Sequence, residues 1–240
     1  MDWKPDVLSV FGRGIEKVDG IWQPTAYIER LSEKGGHPGM RAEGITPFDN
    51  DPRIVIAGGE VNALACAMLY KEFATQRSVP KVVVFAAGRP AYLADDPDPD
   101  LTEGRVMHRW FLGSVIPQPG TQIVFQANNR NTRDDFVETL EFAKSRGLSR
   151  IAIITVQVHI PRCQEFLKHV PEEMKHGIDI LWFASEPIVL RHFPEAYPEL
   201  WEAMISPAYA RTAERERKGI EDLRAGHYNF GAQGYSFAQK

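Results

Sequence analysis

The sequence predicts an α/β fold, in which a doubly wound, mostly parallel sheet has helices on both faces. Short apolar runs rich in β-branched residues alternate along the chain with segments whose apolar residues recur at helical spacing. The run at 151–154 has no polar position, which is typical of a strand buried on both faces. Glycine or polar residues follow these runs, as in strand–turn–helix units. This alternation favours a parallel sheet with right-handed crossovers.

The elements follow from this pattern in chain order. The predicted strands are residues 6–11, 53–57, 81–87, 121–126, 151–154 and 178–184. The predicted helices are residues 61–73, 103–112, 134–147, 162–169 and 207–224. Thr132 is the predicted N-cap of the third helix, which ends at Gly147. Glu103 lies in the first turn of the second helix, where capping alone could explain its charge.

One domain is expected for the whole chain, residues 1–240, because 240 residues suffice for one large α/β domain. Residues 15–52 interrupt the pattern and are predicted to be an insertion, either a flap over the site or a plain surface loop. Within it, Asp19 and Gly20 predict a hairpin turn, and residues 25–31 are predicted to form a short helix. Residues 187–240 are predicted to be a helical C-terminal extension. Its last residues, HYNFGAQGYSF at 227–237, are expected to pack on the domain or on a second copy, which would make a homo-oligomer.

Composition and charge exclude several classes of partner. The chain has 28 Lys and Arg against 32 Asp and Glu, which gives a net charge of −4. This charge does not favour nucleic acid as the main partner. The N-terminus lacks a signal peptide, and no apolar run approaches the roughly 20 residues of a membrane helix. We therefore expect a soluble, cytoplasmic protein with no membrane partner.

Two cysteines, Cys66 and Cys163, occur in apolar helical surroundings. Two such residues do not make a disulfide framework, and inert core thiols are the simpler interpretation. The alternative is a nucleophilic Cys163, because a four-residue step brings it near His159, with Arg162 beside it.

The residues that follow the predicted strands form the predicted site. The carboxyl ends of parallel strands meet at one edge of the sheet, where ligands bind in open α/β folds. The candidates are Gly58, Gly59, Gly88, Arg89, Glu103, Asn131, Thr132, Asp134, Asp135, Thr155, His159 and Arg162. Arg13, between Gly12 and Gly14, lies in a turn that lacks the third glycine of a nucleotide-binding fingerprint, which favours a plain tight turn.

Four motifs resemble the SanA/YdcF/ElyC-like family: AGR at 87–89, Glu103 at a helix start, NTRDD at 131–135 and TVQVHIPR at 155–162. The similarity spans roughly residues 53–170. This sequence departs from the family at Asp134, Asp135, Val156 and Arg89, where the family has Glu, Asn, Ser and Gly. The resemblance implies a Rossmann-like fold. For a soluble, YdcF-like branch it also implies S-adenosylmethionine as a ligand, whereas anchored members are linked to envelope glycans.

The first functional hypothesis is a binding site for a nucleotide-like or phosphorylated small molecule. Gly58, Gly59 and nearby helix N-termini would hold an anion, and Arg89 and Arg162 would add charge-assisted hydrogen bonds. Glu103 or Asp134 would bind hydroxyl or amino groups.

The second hypothesis is a hydrolase or transferase that acts on a phosphorylated or glycosyl substrate. His159 would be its general acid or base. Glu103, Asp134 or Asp135 would orient it or hold Mg²⁺. The sequence has no zinc-ligand spacing and no GxSxG motif.

The third hypothesis is a non-catalytic interaction protein that uses the charged helix near residues 208–225. This alternative leaves the polar strand ends unexplained.

Overall fold

The computed structural model describes residues 3–93, 96–127, 129, 131–195 and 198–227. In chain order, its strands are β1 (Val7–Phe11), β2 (Ile15–Val18), β3 (Ile21–Pro24), β4 (Ile28–Arg30), β5 (Ile54–Ile56), β6 (Val82–Ala86), β7 (Gln122–Phe125), β8 (Arg150–Thr155) and β9 (Asp179–Ala184). Its α-helices are α1 (Gly59–Thr75), α2 (Glu103–Ser114), α3 (Thr132–Ser145), α4 (Ile160–Lys168), α5 (Glu172–Lys175), α6 (Ser185–His192), α7 (Pro198–Met204) and α8 (Pro207–Arg224).

The central sheet has five strands, all parallel, in the order β7-β6-β1-β8-β9. Counted along the chain, this order is 3-2-1-4-5, so the chain winds outward in both directions from the junction of β1 and β8. The predicted Rossmann-like, doubly wound sheet is therefore confirmed. In such sheets the ligand crevice lies at this junction, outside the carboxyl ends of the strands.

Alternation along β1 divides the core into two layers, because successive side chains of a strand point to opposite faces. Leu8 and Val10 pack with residues of α1, α2 and α6 on one face. Val7 and Phe11 pack with residues of α3 and α4 on the other. Both faces of the sheet are thus covered by helices, which explains why its strands read as continuous apolar runs.

Residues 15–31 differ from the prediction. The hairpin turn is confirmed, since β2 and β3 pair antiparallel and Asp19 and Gly20 both have positive φ values, 50° and 80°. The helix predicted at 25–31 is wrong, because that segment contains β4, which pairs antiparallel with β5. The strand predicted at 53–57 therefore exists, but it lies outside the parallel sheet. Local helical spacing in TAYIERL is overridden by this pairing with a distant segment.

The C-terminal extension is helical where the structure describes it, and α8 spans the predicted residues. Its Ala208, Thr212, Glu216 and Leu223 are buried against the domain. The last predicted residues, 228–240, lie outside the described part of the chain. None of the described helices combines the length and apolarity that a membrane crossing requires.

Candidate functional site

A cleft of about 550 Å³ opens at the carboxyl edge of the sheet, beside the ends of β1 and β6. We call it the edge cleft. Half of the predicted site residues line it: Gly88, Arg89, Glu103, Asn131, Thr132 and Asp135. His37 and Tyr92, which were not predicted, line it as well. Its volume is in the range of small-molecule sites.

Glu103 is held by the turn that follows β1. Its Oε2 accepts the backbone N–H of Gly14 at 2.9 Å. A Cβ at Gly12 would lie 2.2 Å from that same oxygen, so only glycine fits there. Burial raises the pKa of Glu103. The N-cap of α2 is Thr102, whose Oγ1 accepts from the backbone N–H of Arg105 at 3.2 Å, and Glu103 lies in the first turn of the helix, as predicted.

Asp135 is the second acid of the cleft and ends a buried polar chain. Asn129 Nδ2 donates to Asp135 Oδ1 at 2.7 Å and to Gln126 Oε1 at 2.9 Å. Gln126 in turn donates to Thr139 Oγ1 at 3.1 Å. The Thr139 hydroxyl lies 3.3 Å from that of Ser9 in β1. Burial raises the pKa of Asp135 well above its usual range, despite the bond from Asn129.

Asn131 is the N-cap of α3, which corrects the prediction for Thr132. Asn131 Oδ1 accepts the backbone N–H groups of Arg133 and Asp134 at 3.0 and 3.2 Å. Thr132 is the first helical residue and lines the cleft. Asp134 accepts from Asn131 Nδ2 at 3.2 Å and lies beside the cleft rather than in its wall. The Asn amide is therefore both a cap and a cleft group.

Gly88 and Arg89 shape one wall. A Cβ at Gly88 would lie 1.9 Å from the carbonyl oxygen of Asn129, so the two backbones approach as closely as glycine allows. The Arg89 guanidinium donates to four backbone carbonyls of the loop that precedes α2, namely those of Leu93, Asp96, Asp98 and Leu101. Arg89 thus forms hydrogen bonds with this loop, whereas the sequence predicted that it would form them with a ligand.

His37 brings the insertion into the cleft. Its Nδ1 lies 2.6 Å from Glu29 Oε2, with side-chain exposures of 35% for His37 and 1% for Glu29. The ring also rests against Gly14, where an added Cβ would be 3.2 Å from Nδ1. Burial acts to lower the pKa of His37, but the hydrogen bond and charge of Glu29 outweigh it and raise the pKa.

His159 and Arg162 belong to a separate group, which we call the Glu216 cluster: Arg13, His159, Arg162 and Glu216. Glu216, from α8, is 5% exposed. Its Oε1 accepts from Arg13 at 3.1 Å, and its Oε2 lies 3.1 Å from both Arg162 Nη1 and His159 Nδ1. Burial alone would raise the pKa of Glu216, but the neighbouring histidine and guanidinium groups outweigh it and lower it.

The Glu216 cluster fills the junction of β1 and β8. Arg13 follows β1 and also donates to the carbonyls of Ile56 and Ala57, each at 3.1 Å. His159 is 4% exposed, and burial lowers its pKa. The structure therefore does not bring His159 or Arg162 into the edge cleft with Glu103 and Asp135. The catalytic role of His159 stays a prediction.

Gly58 and Gly59 lie at the N-terminus of α1, where Gly58 has a φ of 89°. The segment before β4 uses their backbone donors: Gly58 N–H bonds to the carbonyl of Ala26, and Gly59 N–H to Thr25 Oγ1, both at 3.0 Å. An anion at this helix end would have to displace these bonds.

Thr155 ends β8 and is completely buried, and its Oγ1 has no hydrogen-bond partner in the described structure. Cys66 and Cys163 are also completely buried, and burial raises the pKa of both thiols. A nucleophilic cysteine needs a lowered pKa and access to its substrate. The nucleophile alternative for Cys163 is therefore wrong.

Across the described residues, no three or more His, Cys, Asp and Glu side chains are grouped so that they could hold a metal ion. The fold and the edge cleft define a Rossmann-like α/β protein with a small-molecule-sized site at the carboxyl edge of its sheet. Comparison with protein-family models, with curated proteins and with solved structures gives no match for this chain. The resemblance to the SanA/YdcF/ElyC-like family thus depends on its motifs alone.

Sequence reasoning did not find Glu29, His37 or Glu216, and took Arg13 for part of a plain turn. Two of the four carry a usable signal. Arg13 stands between glycines directly after a buried strand, and Glu216 lies four residues after Thr212 on the buried face of α8. His37 and Glu29 lie in an insertion without periodicity, so no pattern marks them.

Proposed function

We propose that this chain binds a small, nucleoside-like molecule rich in hydroxyl and amino groups in the edge cleft. The observation that carries the proposal is the convergence of Glu103, Asp135 and Asn131 in one cleft of about 550 Å³. Carboxylate and amide oxygens accept hydrogen bonds from hydroxyl and amino groups. Binding of this kind commonly positions the ribose and the base of a nucleoside.

The distribution of charge favours a nucleoside over a polyphosphate. Arg89 is engaged with backbone carbonyls, and Arg13 and Arg162 are engaged with Glu216. The cleft itself presents two carboxyl groups, which offer a phosphate group no counter-charge. S-adenosylmethionine remains a candidate ligand, because it combines ribose hydroxyls and amino groups with a sulfonium charge that acids attract. The phosphorylated ligands of the first hypothesis are less favoured.

Isothermal titration tests the proposal with adenosine, S-adenosylmethionine, adenosine monophosphate and adenosine triphosphate. We expect the first two to bind more tightly than the triphosphate. Asp135→Asn should weaken binding up to about tenfold, since it changes the donors and acceptors that the side chain offers the ligand and a lost hydrogen bond costs about 0.5–1.5 kcal/mol. Glu141→Gln, an exposed position on the same helix, is the matched control and should bind as the wild type does. Flat traces, or tight triphosphate binding that ignores Asp135, would refute the proposal.

A second candidate function, a hydrolase or transferase, is favoured by the two cleft acids. Burial raises the pKa of both Glu103 and Asp135, which brings a carboxyl group closer to exchanging protons near neutral pH. Turnover of a substrate is the test of this second function, because burial in a purely structural role would not produce it. The non-catalytic interaction hypothesis has less support, because α8 uses one face to pack on the domain.

A further inference from the structure

The two histidines at this edge of the sheet differ in what they can touch. The His159 side chain is 5% exposed and faces Glu216 inside the protein. The His37 side chain is 35% exposed and lines the edge cleft. A general acid or base must come within hydrogen-bond reach of the proton that it transfers. Of the two histidines, His37 is the one that a ligand in the edge cleft can reach.

Glu29 orients His37. The carboxylate lies on β4, is 2% exposed and contacts Nδ1 of the ring at 2.6 Å. Its other oxygen, Oε1, is buried without a hydrogen-bond partner in the described structure. A carboxylate that accepts the Nδ1 proton fixes the tautomer and leaves Nε2 as the nitrogen for a ligand. The packing of the ring against Gly14 fixes its position further.

The rest of the cleft indicates which bond such a base would help to break. Phosphoryl transfer needs cations around the developing charge, and the guanidinium of the cleft, Arg89, is turned to carbonyls. Glycosidic cleavage needs a carboxyl group that donates a proton to the leaving group. Asp135 suits that role because it is 8% exposed, lines the cleft and is held by Asn129.

We propose that the edge cleft hydrolyses the glycosidic bond of nucleosides, with His37 as the base, Asp135 as the acid and Glu29 as the residue that positions His37. The proposal rests on the proposed nucleoside-like ligand. His37 Nε2 takes a proton from water, and the water oxygen bonds to the anomeric carbon. The bond from that carbon to the base nitrogen breaks, and its electron pair takes the proton of Asp135. The products are the free sugar and the free base, and solvent returns both groups to their starting state.

The experiment measures adenine release from adenosine by chromatography, and nitrophenol release from p-nitrophenyl riboside, with the full chain. His37→Asn and Asp135→Asn should each lower kcat about 10²–10⁴-fold, the usual contribution of a positioned acid or base. His37→Gln serves as a second variant if the first does not fold. The exposed His176→Asn is the control and should keep wild-type turnover.

Glu29→Gln separates positioning from a purely structural role. We expect about a 10–100-fold loss, as for the groups that orient metal-bound histidines. The acidic limb of the pH–rate profile, which reports the deprotonation of the base, should also move to lower pH, because Glu29 raises the pKa of His37. The other groups that face His37 are Glu103, Arg13 and the Tyr92 ring, and this variant leaves them unchanged. A profile that stays in place would contradict the positioning role.

The outcomes distinguish this inference from the proposed function. Adenosine that binds in calorimetry but is not hydrolysed would overturn the hydrolase and leave the binding site. Turnover that survives His37→Asn would overturn the assignment of the base. An absence of both binding and turnover would refute the nucleoside-like ligand, and the hydrolase with it.

Discussion

The edge cleft and the Glu216 cluster adjoin the same turn after β1, and each pairs a histidine with a buried glutamate. In the cleft, Glu29 is buried, but the His37 side chain is 35% exposed. In the cluster, His159 and Glu216 are closed in by two arginines and by α8. The two pairs thus consist of the same residue types. The groups around each pair determine whether its histidine is open to a ligand or enclosed in the protein.

The balance of charge differs between the two regions. Glu216 faces two guanidinium groups, which lower its pKa although it is buried. His37 and Arg13 act to lower the pKa of Glu103, but burial outweighs them, and burial likewise raises the pKa of Asp135. Groups whose ionised form is penalised by the fold are typical of functional sites, where stability is sacrificed for chemistry. At the junction where Rossmann-like sheets usually bind ligands, Glu216 contacts Arg13 and His159, which follow β1 and β8.

The largest expected effect is that of Glu216→Ala. Removal of this carboxylate takes away the negative charge that the half-buried Arg13 and Arg162 both contact, and with it one of the links between α8 and the sheet edge. Breaking a buried ion pair from one side costs about 3–5 kcal/mol. We therefore expect the free energy of unfolding, from urea denaturation, to fall by that amount at pH 7.

Glu214→Ala on the same helix is the control. Its ion pair with Arg217 is exposed, with the Glu214 side chain 62% accessible, so the loss of stability should be small beside that of Glu216→Ala. Equal losses for the two variants would mean that the Glu216 cluster contributes no more than a surface ion pair, and the contrast between the two regions would disappear.

Gly88→Ala should have the next largest effect, through the wall of the cleft. The added Cβ would meet the carbonyl oxygen of Asn129 at 1.9 Å, so one of the two backbones must move. Overpacking of this kind costs about 1–3 kcal/mol, and ligand binding should weaken with it. Gly113→Ala in α2 meets nothing within 4 Å and should be neutral or stabilising. Thermal unfolding of both variants measures the difference, and a stable Gly88→Ala protein would contradict the close approach.

Asp135→Asn should stabilise the protein at pH 7 by about 1 kcal/mol, the usual size of a single stabilising change. The folded state raises the pKa of Asp135, so its carboxyl group favours folding below the unfolded pKa of about 3.9 and loses that contribution as pH rises. The gain of the variant should therefore vanish in acid. Urea denaturation at pH 3.5 and 7 measures it. A loss at pH 7 would mean that the ionised carboxylate stabilises the fold.

The fold was largely predictable because its signals are local. The apolar run at 151–154 and the periodic segment at 207–224 correspond to β8 and α8 in the structure. Local signals failed where a distant segment decided the outcome. Residues 25–31 have helical spacing, yet β4 forms there because Ile28 and Arg30 pair with Ile56 and Ile54.

The candidate site was predictable only where strand ends determine it. Glu103, Asn131 and Asp135 were expected to converge, and they line one cleft, because the carboxyl ends of parallel strands share an edge. His159 was expected beside them, but the sequence does not reveal that α8 would return Glu216 to that strand end. The dyad of His37 and Glu29 forms between loop and strand residues whose approach depends on the tertiary fold.

The smallest effect on the free energy of unfolding is expected for Arg89→Lys. This variant tests the difference between the edge cleft, one wall of which is a loop, and the Glu216 cluster, which helix α8 completes. The Arg89 guanidinium reaches four backbone carbonyls between residues 93 and 101. A lysine ammonium is a compact point charge that cannot reproduce this fork. We expect the free energy of unfolding to change by less than about 1 kcal/mol, because local opening costs less than global unfolding. Amide exchange in residues 96–101 should become faster.

Arg105→Lys, whose ion pair with Asp100 is exposed, should leave that exchange unchanged. Equal exchange in wild type and Arg89→Lys would show that the loop, and with it the wall of the cleft, does not depend on this guanidinium.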